Sequence, residues 1–255
     1  MKITIDSKWC KGCALCVRAC KKGVLAIGEQ RSSGGYLMPY AQNPDACIAC
    51  KMCERTCPDV CIEVTKEYAE DRTMRKDVRF GGSGGQGVIS LAVLLANAYG
   101  VQNNYEVAQT QSYGPAARGG ACKAELVVSD ERIDYVKADK LDSFVAFNKP
   151  SFDKFKGDIN PDTRLFVDST FVTAEDVSGT PAKQVFLFPA TKYAEENFRV
   201  VCTNIVMMGY IVAHNPDISL ENAQNAIRAV MNPKVVDLNL KALQFGYEHG
   251  KADLA

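Results

Sequence analysis

Near its start the chain reads Cys10-Lys-Gly-Cys13-Ala-Leu-Cys16-Val-Arg-Ala-Cys20 and then Cys47-Ile-Ala-Cys50-Lys-Met-Cys53-Glu-Arg-Thr-Cys57, two stretches with one spacing, C-x2-C-x2-C-x3-C. Three thiolates from one tight loop can reach three iron corners of a [4Fe-4S] cubane. We expect the fourth cysteine to begin a helix and to point towards the other cluster. The repeat therefore predicts two [4Fe-4S] clusters with crossed ligands, one held by Cys10, Cys13, Cys16 and Cys57, the other by Cys47, Cys50, Cys53 and Cys20.

Two other uses of these cysteines fit the pattern less well. A zinc site takes four tetrahedral ligands, usually from pairs of cysteines, and leaves no place for a third cysteine at the same step. A disulfide framework needs an oxidising compartment, yet Met1-Lys-Ile-Thr-Ile-Asp6 lacks the apolar core of a signal peptide. The duplicated spacing favours clusters over both. One departure is Lys21, which follows Cys20 where the pattern usually has proline.

Length and composition limit the class of protein. A chain of 255 residues accommodates one small and one larger domain, and 47% hydrophobic with 24% charged residues is ordinary for a soluble protein. The 30 basic and 30 acidic residues give no basic excess, so we expect no nucleic-acid binding. No apolar run is long enough for a membrane span. Many thiolate ligands without an export signal indicate a reducing cytoplasm and anaerobic metabolism.

The cysteine stretches predict an N-terminal two-cluster ferredoxin-like α+β domain over residues 1–66. Strands are expected at Lys2–Ile5 and, as its partner, Gly23–Ile27, and the second half repeats this plan with a strand at Val60–Thr65. The 26 residues between the two cysteine stretches contain glycine and proline punctuation, which predicts a loop or hairpin.

A charged run without apolar periodicity predicts a linker at 67–76, followed by a larger α/β domain at 77–255. Alternating strands and helices predict a mostly parallel or mixed sheet. Strands are expected at Asp77–Phe80, Tyr105–Gln109, Lys123–Val128, Ser143–Phe147, Arg164–Val167 and Gln184–Phe188. Helices are expected at Val88–Gly100, Thr203–Ala213, Ser219–Met231 and Val235–Tyr247.

A glycine turn joins the first strand and first helix of this second domain. Gly82, Gly84 and Gly87 satisfy G-x-G-x-x-G in the strand–turn–helix context that the motif requires. Without Cβ atoms in the way, a phosphate can approach backbone N–H groups at the positive helix end. The candidate ligand-binding residues of the turn are Gly82, Ser83, Gly84, Gly85 and Gly87.

Several ligands remain open for this turn. A nicotinamide cofactor expects an acid at the end of the second strand, whereas Glu106 lies at the start of that strand. No Gly-Lys-Ser/Thr closes the glycine run, which disfavours nucleotide binding of the Walker type. The glycines could instead serve only to let the helix pack on the sheet. The remaining alternative is another pyrophosphate-bearing ligand.

Three segments resemble the gamma subunit of 2-oxoacid:ferredoxin oxidoreductases: Phe80-Gly-Gly-Ser-Gly-Gly-Gln-Gly-Val88, Ser112-Tyr-Gly-Pro-Ala-Ala-Arg-Gly-Gly120 and Asp237-Leu-Asn-Leu-Lys-Ala-Leu-Gln-Phe-Gly-Tyr247. The N-terminal part resembles the small ferredoxin-type delta subunit of the same enzymes, especially at Gly35-Tyr36, Pro39 and the segment from Cys47 through Asp59 to Val64. The chain thus resembles a fused delta and gamma subunit. The form of the Ser112–Gly120 loop is more similar to 2-oxoglutarate-type subunits than to pyruvate-type ones.

The resemblance implies a subunit of a cytoplasmic enzyme that decarboxylates a 2-oxoacid, forms an acyl-coenzyme A and passes electrons to an external ferredoxin. It places thiamine diphosphate, magnesium and a further [4Fe-4S] cluster on partner subunits, and expects alpha and beta partners. The gamma part is associated with coenzyme A, for which Gly82 to Gly87 with Ser83 is the first candidate and Arg118 the second. An interface ion pair is the other reading of Arg118.

No residue of this chain is expected to be catalytic. The sequence has no recognisable thiamine-diphosphate motif, and we interpret its two histidines, His214 and His249, as structural or exposed. Two alternatives of different class remain open. One is a self-contained ferredoxin-linked NAD(P) or flavin oxidoreductase, and the other is a non-enzymatic electron carrier whose second domain only docks it to a complex.

Overall fold

The computed structural model describes residues 1–65, 74–112 and 121–254. The chain divides into two units, Met1–Asp71 and Arg72–Ala255. The first unit contains, in chain order, β1 (Lys2–Ile5), α1 (Leu15–Ala19), β2 (Leu25–Arg31), β3 (Leu37–Ala41), α2 (Met52–Thr56) and β4 (Ile62–Thr65).

Two antiparallel strand pairs form the first unit, β1 with β4 and β2 with β3. The prediction that Gly23–Ile27 pairs with the first strand is therefore wrong. In the observed register Ile3 lies opposite Val64 and Ile5 lies opposite Ile62, which places the apolar side chains of both strands on one face. The segment between the cysteine stretches is a hairpin, β2–β3, as predicted.

The second unit begins with β5 (Arg75–Gly82), so the strand includes the last two residues of the predicted linker. Most of the remaining linker lies outside the described residues. The elements that follow are α3 (Val88–Asn103), β6 (Glu106–Ser112), β7 (Cys122–Ser129), β8 (Ser143–Ala146), α4 (Lys149–Phe155), β9 (Arg164–Asp168), α5 (Ala174–Val177), β10 (Gln184–Phe188), α6 (Ala190–Asn197), α7 (Thr203–Ala213), α8 (Leu220–Val230) and α9 (Pro233–Ala252).

These strands form one six-stranded mixed sheet in the order β10-β9-β8-β5-β7-β6. The first four strands are parallel, whereas β7 runs antiparallel to both β5 and β6. The predicted α/β class with a mixed sheet is confirmed. The last helix begins at Pro233, earlier than predicted, because proline is favoured in the first turn of a helix.

The main core of the second unit lies between the sheet and helices α3, α7, α8 and α9. Every residue of α7 is buried, as expected for an apolar core helix. Gly209 of α7 and Gly246 of α9 let these helices cross closely, because a Cβ at either position would lie within about 2 Å of the other helix's backbone oxygen. Within the described part of the chain, no helix is long and apolar enough to cross a membrane.

Candidate functional site

The two cysteine stretches fold in the same way, with one difference from expectation. Helices α1 and α2 begin at Leu15 and Met52, before the third cysteine, and each ends where the fourth cysteine caps it. The prediction that the fourth cysteine begins a helix is therefore wrong. The residues Ala14 and Lys51 adopt left-handed conformations, with φ of 58° at both, and turn the chain into the helix early.

The structure groups the cysteine side chains around two separate cavities. The first cavity is lined by Cys10, Cys13, Cys16 and Cys57, with Cys61 also in its wall. The second cavity, of about 310 Å³, is lined by Cys20, Cys47, Cys50 and Cys53. These are the two crossed sets named from the sequence. In each set, the fourth cysteine of one stretch joins the first three cysteines of the other.

The chemistry of the donor sets suits iron–sulfur clusters. Four of the predicted ligand cysteines line each cavity, three from one stretch and the fourth from the other. A cubane binds each thiolate at a different iron corner, so its four ligands surround a cavity. The thiols around each cavity therefore have the type and number that a [4Fe-4S] cluster takes.

Backbone conformation repeats between the two halves at three equivalent pairs of positions. Left-handed φ values occur at Gly12 and Ala49, at Ala14 and Lys51, and at Gly23 and Val60. A non-glycine residue in this region costs of order 1–3 kcal/mol and persists only where its surroundings require it. Four such residues lie in or just after the cysteine stretches, and two of them, Ala14 and Lys51, line the cavities. The strain is consistent with loops shaped for a ligand.

Hydrogen bonds to sulfur are repeated as well. The Val24 N–H donates to Cys20 Sγ at 3.4 Å, and the Cys61 N–H donates to Cys57 Sγ at 3.5 Å. Both donors lie four residues after the fourth cysteine of their stretch. Burial raises the pKa of Cys16 and, in the other half, of Cys53. Ligation by iron would offset this cost because metal binding stabilises the thiolate.

In the second unit, two glycines of the turn between β5 and α3 are needed for packing. A Cβ at Gly82 would lie 2.5 Å from Val88 Cγ2, and a Cβ at Gly87 would lie 2.5 Å from Asn204 Nδ2. The residue between them, Gly85, has a φ of 95° that favours glycine, although a Cβ there would meet open space. The packing explanation therefore holds for Gly82 and Gly87.

Side chains from within and beyond the turn fix its shape. The Ser83 N–H donates to Gln86 Oε1 at 2.8 Å. The Asn148 side-chain amide donates to Ser83 Oγ at 2.5 Å and to the same Gln86 oxygen at 2.7 Å. Because the Ser83 amide already has a partner, a ligand would meet the Ser83 hydroxyl and the following glycines first.

A cavity of about 550 Å³ opens beside this turn. Its polar wall includes Ser83, Gly84, Gly85, Gly87, Ser90, Arg199, Asn204 and Asn239. Its apolar wall includes Val88, Ile89, Val201, Met231, Val235 and Leu238. Gly82 does not line the cavity, and Arg118 lies outside the described residues. The sequence did not predict Arg199 as a site residue, because a single cationic residue before an apolar helix belongs to no recognisable motif.

The buried thiols and histidines of the second unit have structural surroundings. Cys122 and Cys202 are 7% and 1% exposed, and burial raises the pKa of both, which disfavours a reactive thiolate. His214 is buried, burial lowers its pKa, and its Nδ1 lies 2.9 Å from the Tyr210 carbonyl oxygen. His249 is partly buried and contacts the Phe245 carbonyl oxygen in the same way.

The order of strands in the sheet disfavours a nicotinamide dinucleotide as the ligand of the glycine turn. Glu106 begins β6, which is an edge strand and is separated from β5 by the antiparallel β7. A dinucleotide fold instead places the acid at the end of the parallel strand next to the glycine turn. The turn of this protein therefore lacks that arrangement.

The second unit is an α/β domain with a cavity beside a glycine turn. Residues 77–249 match the family described as Pyruvate ferredoxin/flavodoxin oxidoreductase, and the chain belongs to this family. The 2-oxoglutarate synthase subunit KorC of Methanocaldococcus jannaschii is 37% identical over 179 residues, which are 70% of this chain and 95% of that protein.

Two solved structures are similar in fold. The gamma subunit of a keto/oxoacid ferredoxin oxidoreductase from Geobacter sulfurreducens is 33% identical, with a TM-score of 0.61 over 69% of this chain and 99% of that chain. A 2-oxoglutarate:ferredoxin oxidoreductase from Magnetococcus marinus, solved with 2-oxoglutarate, coenzyme A and succinyl-CoA, is 25% identical, with a TM-score of 0.62 over 72% of this chain and 32% of that chain. The predicted relationship to gamma subunits is confirmed. The family match lies within the second unit.

Proposed function

We propose that this chain is a fused delta and gamma subunit of a 2-oxoacid:ferredoxin oxidoreductase and that its first unit carries electrons on two [4Fe-4S] clusters. The observation that carries the proposal is the grouping of eight cysteines into two crossed sets around two cavities. When bound, the clusters accept and release single electrons. The protein's contribution is to supply the thiolates, shape the loops and donate N–H groups to the cluster sulfurs.

The oxoacid is proposed to be 2-oxoglutarate. Relatives named 2-oxoglutarate synthase subunit KorC occur in several archaea at 30–37% identity. Related subunits of ketoisovalerate and indolepyruvate oxidoreductases are 31% and 26% identical. Three of the KorC relatives, at 36–37% identity, are more similar to this chain than either of these, which supports 2-oxoglutarate over the branched and aromatic oxoacids. Alpha and beta partners would supply thiamine diphosphate, magnesium and a further [4Fe-4S] cluster, and external ferredoxin would receive the electrons.

Coenzyme A is proposed to bind in the cavity beside the glycine turn. Pyrophosphate oxygens would meet the Ser83 hydroxyl, the amides of Gly84 and Gly85, and the positive end of α3. The Arg199 guanidinium, also in the wall, would neutralise phosphate charge. The apolar wall suits the pantetheine arm. Arg118 stays a second candidate for a phosphate contact.

Anaerobic reconstitution tests the proposed function. The full chain, mixed with alpha and beta partners, should support ferredoxin reduction that depends on coenzyme A and 2-oxoglutarate. Replacing Cys13 or Cys50 by Ala should abolish ferredoxin reduction while sparing oxoacid binding, and Arg132→Ala, at an exposed residue of the second unit, serves as the control variant. Ferredoxin reduction that is unchanged when this chain is omitted would disprove the proposal. Tight binding of a dinucleotide by the purified chain alone would favour the NAD(P) or flavin alternative.

The need for reduced thiols leads us to infer a cytoplasmic location.

A further inference from the structure

Cys61 is a fifth cysteine at the first cavity. Its side chain is buried, with 8% exposure, and its Sγ lies 3.4 Å from the Sγ of Cys57. Cys10 packs in the same small buried cluster. A cubane has four iron corners, and the predicted ligand set already supplies four thiolates. Cys61 is therefore surplus as a ligand, although it touches a ligand sulfur.

The other half of the first unit provides an internal comparison. Val24 lies four residues after Cys20, as Cys61 lies four residues after Cys57. Each residue donates its backbone N–H to the preceding fourth cysteine and lines its own cavity. The two sites thus match in backbone and differ in one side chain, a thiol at the first site and an isopropyl group at the second.

The preceding turn is strained where it directs Cys61 inwards. Val60 has a φ of 48°, while its counterpart in the other half is Gly23, with a φ of 62°. A β-branched residue is a true outlier in this region. The side chain of Val60 is 84% exposed, so its own packing does not explain the conformation. The turn places the next side chain, Cys61, against Cys57.

We infer that Cys61 donates its S–H to the Cys57 sulfur and raises the reduction potential of the first cluster relative to a site with valine there. The inference rests on the proposed cluster binding. A cysteine that ligates iron carries no S–H proton, so in the contact between Cys57 and Cys61 the donor is Cys61. Hydrogen bonds to cluster sulfurs favour the reduced form, which carries the more negative charge, and are a known lever on the potential. Cys61 is thus a tuning residue and not a ligand.

A redox titration of the reconstituted full chain, monitored by electron paramagnetic resonance, tests this inference. Cys61→Val converts the first site into the second type and should move one of the two midpoint potentials to a more negative value while leaving the other unchanged. Cys61→Ser keeps a donor of similar size and should stay near the wild-type midpoint. The reciprocal Val24→Cys adds the thiol to the second site and should move the other midpoint to a more positive value.

Met38→Leu is the matched control for packing, because Met38 is buried beside Cys61 and carries no donor. Unchanged midpoints in both Cys61→Val and Val24→Cys would overturn the inference, as would a shift in Cys61→Ser or Met38→Leu equal to that in Cys61→Val. If Cys61→Val does not retain both clusters, the direction of the Val24→Cys shift decides. Iron analysis separates the two levels of failure: a wild-type chain that assembles no clusters contradicts the proposed function itself.

Discussion

The two units of this chain are stabilised by different means. Among its described residues, the first unit has apolar clusters of four and three buried residues, and cysteines make up part of both. The second unit has a continuous core that extends over one sheet and the helices packed on it. A small domain with so little apolar burial needs a metal or a crosslink to fold. From this comparison we expect the first unit to depend for its stability on the proposed clusters and the second unit to depend on packing.

Removal of the proposed clusters should produce the largest difference in stability between the two units. Chelation with oxidation should unfold the first unit, because its thiol-lined cavities would then lose the proposed clusters, which would join the two halves of the unit. The second unit should keep its structure. Limited proteolysis with mass analysis of the fragments checks this, since cleavage should become confined to residues before β5. Equal protection of both units after iron loss would contradict the comparison.

The buried ion pair of the second unit gives the next largest effect. Arg79 Nη2 lies 2.8 Å from Glu125 Oε1, and the two side chains are 7% and 5% exposed. Arg79→Met removes the contacts of Arg79 with Glu125 and Asp158. Because Lys123 still pairs with Glu125, the free energy of unfolding should fall by about 1.5–3 kcal/mol. Denaturant unfolding of the second unit measures this change.

The control for this substitution is Arg132→Met, which removes an exposed pair with Asp134 and should cost about 0–1 kcal/mol. Cluster content should be the same in both variants, because the changed residues belong to the second unit. An Arg79→Met chain as stable as the control would show that the pair contributes little to packing of the sheet.

Close helix packing gives an effect of similar size. Gly246→Ala would bring a Cβ against the Val206 carbonyl oxygen and should destabilise the second unit by about 1–3 kcal/mol. Gly157→Ala is the matched control, since a Cβ there meets nothing within 4 Å. Thermal unfolding of the two variants should differ by several degrees. If Gly246→Ala unfolds at the control temperature, the close crossing of α7 and α9 is not required.

Replacement of Arg199 should weaken coenzyme A binding by the second unit and change the stability of that unit little. Arg199→Ala removes a cation from the wall of the cavity and should raise the KM for coenzyme A about tenfold, equivalent to about 1.4 kcal/mol. Steady-state kinetics of the reconstituted enzyme measure this, with Arg132→Ala as a surface control. An unchanged KM would move the coenzyme A site away from this cavity.

Acid should weaken the second unit through Glu125 in a defined pH range. Burial acts to raise the pKa of Glu125, but Lys123 and Arg79 outweigh it, so the pKa lies below its ordinary value. The stabilisation is therefore present above the unfolded-state pKa of about 4.3 and is lost as pH falls through the lower folded value. The stability gap between wild type and Arg79→Met should narrow below about pH 4, as chemical unfolding across pH would record.

Elements with a strong apolar pattern lie where the sequence predicts them. The helix Thr203–Ala213 and the strand Gln184–Phe188 match their predicted bounds to the residue. The partner of β1 differs from the prediction, because strand pairing depends on register between distant segments and not on local propensity. The start of α1 also differs, since the left-handed conformation of Ala14 has no signature in composition.

The glycine turn shows the same limit at a candidate site. The motif located the turn correctly between a strand and a helix, but it could not separate packing from binding. Only the positions of Val88 and Asn204 assign Gly82 and Gly87 to packing, while Gly84 and Gly85 line the cavity. Arg199 reaches the same cavity from a segment more than a hundred residues away in sequence, so no local pattern could have revealed it.

The sequence by itself determined which residues could carry the chemistry proposed for this protein. The spacing of the cysteines identified eight candidate cluster ligands and divided them into two crossed sets. The segments around the glycine turn indicated the family. The tertiary structure decided which side chains meet. It set Cys61 against Cys57 and left Val24 at the equivalent position. The physical reason is that ligand type and spacing are local properties of a chain, whereas contacts between distant residues are fixed only when strands take their register and helices pack.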